Sequence, residues 1–510
     1  MNPYQNSFAR YVQETPAAPA LWVQGVSYSY RELSVVVDRL RVALRQQALA
    51  VGAPVAVFAA RSLTAYAAVL ACAAEGLTWV PLNPAFPPTR NQRMWQLSGA
   101  PVVIVGDEAR SQWHQIADAQ ATAVLSLPEL PELAADATLD AVNVADDYPA
   151  YLLFTSGTTG VPKGIPVPVS CLNAYLQHFS ALYPLPQGLR FTQLFDLTFD
   201  LSVHDMFVCW NSGGCLVVPA EADLLMPLQF VRRHQIQVWF SVPSMASIAK
   251  QSGLLRPGIL PSLQFAFFCG EALPTSSALA WMAAAPDALV ANLYGPTEAT
   301  IAITAYTLAR DDSAWQQRSV VPIGRPYPGQ RACVINEQGQ CAAPGETGEL
   351  WLAGDQLTAG YLADPDKTAA VFVEHEPLPG GPRRWYRTGD CAVLDPVVGL
   401  CYVGRIDRQV KINGYRVELQ EVEHRLRQVA GTELVAVLPH PQSADGLYTG
   451  IAGFVVAPAH PPEQLLEALR AALPAYMQPQ KITVLDQLPV NANGKTDYHQ
   501  LRQWLNADMS

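Results

Sequence analysis

The sequence predicts an α/β protein with a large layered N-terminal part and a small C-terminal domain, and three observations carry that prediction. Short apolar segments alternate with stretches of helical period through the first half of the chain. From about Val321 the texture changes to short apolar runs punctuated by Gly and Pro, which marks a β-rich subdomain. After Gly404-Arg-Ile-Asp407 helical spacing returns, over roughly 100 residues, an ordinary size for a separate domain.

Ser29 to Arg45 reads as a helix, with Ser29 as its cap and Leu33, Val36, Leu40 and Leu44 on one stripe. Val55 to Ala59 is a buried strand, Ser62 to Glu75 a helix of small residues, and Thr78 to Leu82 a second strand. Val102 to Val105 and Thr122 to Leu125 continue at the same spacing, which predicts a parallel sheet with helices on its faces. Arg331 to Ile335 and Glu349 to Leu352 are strands of the β-rich part. Beyond Asp407, Leu419, Val422, Leu426 and Val429 lie at helical spacing, Tyr448 to Ala457 is a strand, and Glu463 to Leu473 a helix with Pro462 near its start.

Composition narrows the function. Thirty-three basic against 44 acidic residues give a formal charge of −11, which disfavours a nucleic-acid binder. No apolar run is long enough to span a membrane, and the N-terminus lacks the layout of a secretion signal. Nine cysteines include no C-x-x-C pair, so they read as reduced thiols of a cytoplasmic protein.

The sharpest local feature is Leu152-Leu-Phe-Thr-Ser-Gly-Thr-Thr-Gly-Val-Pro-Lys-Gly164. An apolar strand runs into a loop with four hydroxyls (Thr155, Ser156, Thr158, Thr159), glycines at Gly157, Gly160 and Gly164, and Lys163. Glycines let backbone N–H groups turn towards an anion, hydroxyls add donors and lysine adds charge, so the loop suits a polyphosphate. Its spacing is not that of the Walker A loop, and a polar surface loop has a similar composition.

Thr155 to Gly164 resembles the signature loop of the adenylate-forming enzymes: acyl-CoA synthetases, firefly luciferase and the adenylation domains of nonribosomal peptide synthesis. Five further motifs follow in that family's order: Asn292-Leu-Tyr-Gly-Pro-Thr-Glu298, Gly348-Glu-Leu350, Tyr386-Arg-Thr-Gly-Asp390, Gly404 to Gly414, and Asn493-Gly-Lys495. The resemblance spans roughly residues 10 to 505. It implies an N-terminal adenylation core, residues 1–405, of two sheet–helix subdomains plus a β-barrel-like subdomain. A small mobile α+β lid, residues 406–510, would turn about a hinge near Asp407.

The reaction so implied joins a carboxylate to ATP, giving an acyl-adenylate and pyrophosphate. Two anions must meet in line, so the site must neutralise charge. By the resemblance Lys495 bridges carboxylate and α-phosphate, Glu298 ligates Mg2+, and Thr155, Ser156, Gly157, Thr158, Thr159, Gly160 and Lys163 hold phosphates. Asp390 accepts the ribose hydroxyls, and Tyr294 stacks on adenine beside Asn292 within the run Leu293, Gly295, Pro296, Thr297. Tyr402 to Arg405 closes over the nucleotide. Lys411 and Gly414 face the site during the second, thioester-forming step, where glycine leaves room for a phosphopantetheine arm. Three of the chain's six lysines (Lys163, Lys411, Lys495) fall in these motifs.

Substrate class rests on Asp200, which falls where amino-acid-activating members hold the α-ammonium; a helix cap is the competing role. Leu201, His204, Phe240, Phe267, Cys269, Leu293, Ile301 and Ala302 match the rest of the family's pocket, and three bulky rings among them favour a small side chain. Phe199-Asp-Leu-Ser202, Phe240-Ser-Val-Pro243 and Phe267 to Ala272 look most like D-alanine:carrier-protein ligases. His204 departs from them, which leaves L-alanine, glycine and serine open beside D-alanine, and a plain core histidine is the alternative for that residue. The expected acceptor is a separate phosphopantetheinylated carrier protein, because only 15 residues follow Lys495. An acyl- or aryl-CoA synthetase using free CoA is the alternative activity, disfavoured by Asp200; a degenerate binding protein is disfavoured by the retained motifs.

Overall fold

The computed structural model describes residues 3–116, 123–132, 142, 145–157, 162–375, 383–490 and 496–507. The chain divides into two compact units. The larger comprises Met1–Pro84, Asn91–Phe154 and Gly164–Ile406; the smaller comprises Ala85–Arg90, Thr155–Lys163 and Asp407–Ser510.

The larger unit is built on three sheets. One has six strands in the order Ala123–Leu125, Val102–Val105, Pro54–Phe58, Thr78–Leu82, Pro149–Thr155, Lys163–Pro168, and its first five strands pair in parallel. Residue 122, expected to open the first of these, lies outside the described residues. The strands are buried along nearly their whole length, as a parallel sheet covered by helices requires. The second sheet has nine strands, and at its centre Leu289–Tyr294, Phe265–Phe268, Val238–Ser241, Arg190–Thr192 and Cys215–Val217 run parallel. The third is an antiparallel sheet of five strands formed by Arg331–Ile335, Thr347–Ala353, Phe372–His375, Arg383–Asp395 and Gly399–Arg405.

Local signals explain where elements begin. Ser29 and Glu32 form a capping box at the start of the helix Tyr30–Gln46, each side chain accepting from the other's backbone N–H. That helix buries Leu33, Val37, Leu40 and Leu44, with Val37 in the place expected for Val36. At about 100° per residue Val37 lies roughly 40° from the centre of the other three, and Val36 roughly 60°.

Within the smaller unit a three-stranded sheet, Val435–Pro439, Ile451–Val456 and Lys481–Leu485, packs with the helices Leu419–Ala430 and Pro462–Ala472. The middle strand starts three residues later than the sequence suggests, because Tyr448 pairs through isolated bridges to Ile412 and Gln442. It stops at Val456, since Ala457 takes a left-handed φ of 44°. Among the described residues no helix is long and apolar enough to cross a membrane.

Candidate active site

The parallel strands of the nine-stranded sheet deliver several of the expected residues from their carboxyl ends, where open α/β sheets place ligands. Phe240 sits beside Phe267 in register, and Ser241 beside Phe268 beside Asn292. Side chains alternate along a strand, so Phe240, Phe267 and Leu293 share one face while Asn292 points to the other.

Asp390 and the two residues expected around it meet. Tyr294 donates its hydroxyl to Asp390 Oδ2 at 2.5 Å, and Arg405 Nη1 donates to Asp390 Oδ1 at 2.9 Å and to the Thr388 carbonyl at 2.8 Å. Burial, and then the neighbouring Asp390 carboxylate, push the Tyr294 phenol well up, which keeps it the donor. The Asp390 backbone is fixed by Thr388 Oγ1 at 2.9 Å. Asn292 is buried; its Nδ2 donates to the carbonyls of Val321 and Pro322, while its Oδ1 has no hydrogen-bond partner among the described residues. Tyr402 lies on the strand that carries Arg405 and packs, partly buried, on the core of the five-stranded sheet.

The loop after Leu289–Tyr294 is tightly constrained. At Gly295 a Cβ would lie 2.6 Å from the Ala302 Cα, so only glycine fits the doubled-back chain. Pro296 and Thr297 lead into a turn of 3₁₀ helix, Thr297–Ala299, that places Glu298. Glu298 is completely buried and accepts from the Tyr361 hydroxyl at 2.8 Å. Thr300 and Ile301 follow with φ of 55° and 68°, a left-handed conformation that β-branched residues rarely adopt. Gln356 holds them there: its Nε2 donates to the carbonyls of Ala299, Thr300 and Ala302, and Thr300 Oγ1 donates to the Gln356 carbonyl at 2.7 Å.

Asp200 occupies the N-cap position of the helix Leu201–Asn211, yet its side chain makes no capping hydrogen bond, which removes the competing explanation for this buried carboxyl. Leu201 is buried beside it. His204 lies one turn further on, fully buried, with Nδ1 2.5 Å from the Tyr175 hydroxyl and Nε2 without a hydrogen-bond partner among the described residues. Its ring centre is 4.2 Å from that of Phe240, 4.7 Å from Phe179 and 6.0 Å from Phe267. Burial alone pulls the imidazole down to about 3, so it is neutral at physiological pH. Cys269, Ile301 and Ala302 complete an apolar enclosure.

In the smaller unit, Ser156 Oγ donates to the Arg416 carbonyl at 2.9 Å, and the Gly157 N–H donates to Glu421 Oε2 at 3.1 Å. Glu421 also pairs with Arg90 at 2.7 Å, and Lys163 Nζ lies 3.9 Å from Glu418. Thr155 Oγ1 is buried with no partner among the described residues. Lys411 is exposed on a hairpin, Gln409–Ile412 with Tyr415–Glu418, closed by Asn413 and Gly414 at φ of 49° and 84°. Both values are positive, as the tight turn between these strands requires, which gives Gly414 a local reason of its own. Asp407 accepts from the Gln409 N–H at 3.1 Å. Thr158, Thr159, Gly160 and Lys495 lie outside the described residues.

Three supporting residues went unread in the sequence: Tyr175, Gln356 and Tyr361. None sits in a charged or glycine-lysine motif. The local hint for the last two is their closeness to Gly354 and Gly360, both of positive φ: Gln356 lies between them and Tyr361 directly follows the second.

Comparison with known proteins places this geometry. A family model described as AMP-binding enzyme matches residues 8–362, and one described as AMP-binding enzyme C-terminal domain matches residues 421–495. The chain is 31% identical over 498 residues to the D-alanine–D-alanyl carrier protein ligase of Lacticaseibacillus rhamnosus, covering 96% of each chain. It is 33% identical over 497 residues to tyrocidine synthase 3 of Brevibacillus parabrevis, covering 96% of this chain and 7% of that protein. Among solved structures, the Vibrio cholerae adenylation domain AlmE, in complex with glycyl-adenosine-5'-phosphate, superposes with a TM-score of 0.89 at 34% identity, covering 99% of this chain and 98% of that one.

Proposed function

Because the chain belongs to the AMP-binding enzyme family, we propose that it activates a small amino acid with ATP and loads it onto a carrier protein. The amino-acid carboxylate attacks the α-phosphate, forming aminoacyl-AMP and releasing pyrophosphate. The phosphopantetheine thiol of a separate carrier then takes the aminoacyl group as a thioester and AMP leaves. The observation that carries the amino-acid reading is Asp200: a buried carboxyl that does not cap its helix, one turn from an aromatic enclosure. A carboxylate there pairs with an α-ammonium, and an acid lacking the amino group would leave it buried without that partner. Relatives named as D-alanyl carrier protein ligases support both the substrate class and the acceptor.

The residues fit the nucleotide. Asp390 keeps acceptor capacity for ribose hydroxyls beyond Tyr294 and Arg405, because an ionised carboxylate takes about four hydrogen bonds. Asn292 Oδ1, a buried acceptor with no partner among the described residues, suits the exocyclic amine of adenine, with Tyr294 beside it. Thr155, Ser156 and Lys163 would hold phosphates, and Lys495 would bridge the reacting carboxylate and α-phosphate. Mg2+ would be held by Glu298 together with phosphate oxygens, neutralising charge that develops on them; magnesium commonly uses one or two carboxylates plus substrate phosphates. Asp407 serves as the hinge, Lys411 acts in the thioester half-reaction, and the cytoplasm is the compartment that supplies ATP and a reduced thiol acceptor.

Amino-acid-dependent ATP–pyrophosphate exchange tests this reading. Exchange is expected with at least one small amino acid and is reduced by roughly 10²-fold in Lys495→Ala, the scale of losing one group that stabilises transition-state charge. Exchange supported only by carboxylic acids without an amino group would sink it.

A further inference from the structure

We infer that this pocket is closed to any side chain and that the amino acid it selects is glycine, with Tyr175 as the positioning residue that keeps it closed. The inference rests on the amino-acid-activation reading and names the substrate within it. Its ground is the packing beyond Asp200. A cavity able to take even a methyl group leaves the side chains that line it with water-accessible surface, since methyl and water are of similar size. Asp200 retains 8% of its surface, whereas Phe240, Phe267, Cys269, Leu293 and Ile301 expose 1% or less, and Ala302 none. The side chains expected to line the pocket beyond Asp200 are therefore sealed from water.

His204 is the plug. It stands on the same helix face as Asp200, four residues on. Phe179, Phe240 and Phe267 hold its ring, and the 2.5 Å hydrogen bond between the Tyr175 hydroxyl and Nδ1 fixes its rotation. An alanine of either hand must move this ring. Tyr175 touches no substrate; it acts through His204.

The test is exchange with glycine, D-alanine and L-alanine on the full chain and on His204→Ala, His204→Leu and Tyr175→Phe. Glycine is expected to exceed either alanine in kcat/KM by about 10-fold or more, the discrimination that one methylene earns in a tight pocket. His204→Ala should raise alanine relative to glycine by about 10-fold, while His204→Leu, which keeps the volume, should retain the glycine preference. Tyr175→Phe should lower the glycine-to-alanine ratio chiefly through a smaller KM for alanine; a merely structural lesion would depress both substrates alike. Equal or better exchange with D- or L-alanine in the unmodified enzyme overturns glycine selection while leaving amino-acid activation standing. Exchange with no amino acid overturns activation itself, and the inference falls with it.

Discussion

The two halves of the proposed site in the larger unit are built in opposite ways. Around Asp390 every described contact is polar and matched: a phenol on one carboxylate oxygen, a guanidinium on the other, a threonine hydroxyl on the backbone, with side chains still 12–15% exposed. Around His204 the contacts are ring on ring, water is shut out, and one ring nitrogen has no hydrogen-bond partner among the described residues. A nucleotide is the same in every turnover and carries many polar handles, so paired hydrogen bonds suffice to hold it. A small amino acid offers only its ammonium and the presence or absence of a side chain, so shape must discriminate.

Breaking the polar half should have the largest effect. Asp390→Ala removes the acceptor for Tyr294, Arg405 and the ribose together. With charge-assisted bonds of about 1.5–3 kcal/mol each, kcat/KM for ATP should fall by roughly 10²-fold, with a much smaller effect on the ranking of amino acids. Loss of amino-acid ranking without loss of ATP use would reverse the two halves.

Gln356 sits where the halves join, because it holds the carbonyls between Glu298 and the pocket wall at Ile301 and Ala302. Gln356→Ala leaves three buried carbonyls to find other donors. It should destabilise by about 3 kcal/mol in denaturant unfolding and lower exchange with every amino acid, whereas an unaltered midpoint would mean that the left-handed pair holds itself.

The smallest effect sharpens the apolar half through pH. His204 titrates at about 3 when folded, against 6.5 for an ordinary histidine. The unfolded chain therefore takes up its proton first as pH falls, so the contribution is complete above 6.5, declines below it and is lost by about 3. Between pH 6.5 and 4.5 this amounts to about 2–3 kcal/mol. His204→Leu should flatten that part of the stability profile; an identical slope in both proteins would place the imidazole in contact with water.

The sequence was most readable where chemistry is local. Ser29 and Glu32 stand at capping-box spacing and cap the helix that follows, and alternating apolar runs foretold the parallel sheet. The choice between Val36 and Val37 was not readable, since adjacent valines satisfy the same period and packing alone decides. In the site, Asp390, Tyr294 and Arg405 carry motif signals and are found together. Tyr175, Gln356 and Tyr361 act at separations of 29, 54–57 and 63 residues through bonds that any tyrosine or glutamine can make. Their roles exist only in the folded chain. Asp200 shows a third case: its position suggested both a cap and a ligand, and only coordinates could remove the cap.

The left-handed torsions at Thr300 and Ile301 bear on how such an enzyme would respond to engineering. Ile301→Gly would relax the backbone by about 1 kcal/mol but would empty the space of a fully buried side chain at a cost of about 2–5 kcal/mol, so selection for heat resistance alone would reject it. The same change strips a wall from the enclosure beside His204. Stability and fidelity thus run together at this residue, and a variant library scored on melting temperature would keep the wall that substrate choice needs.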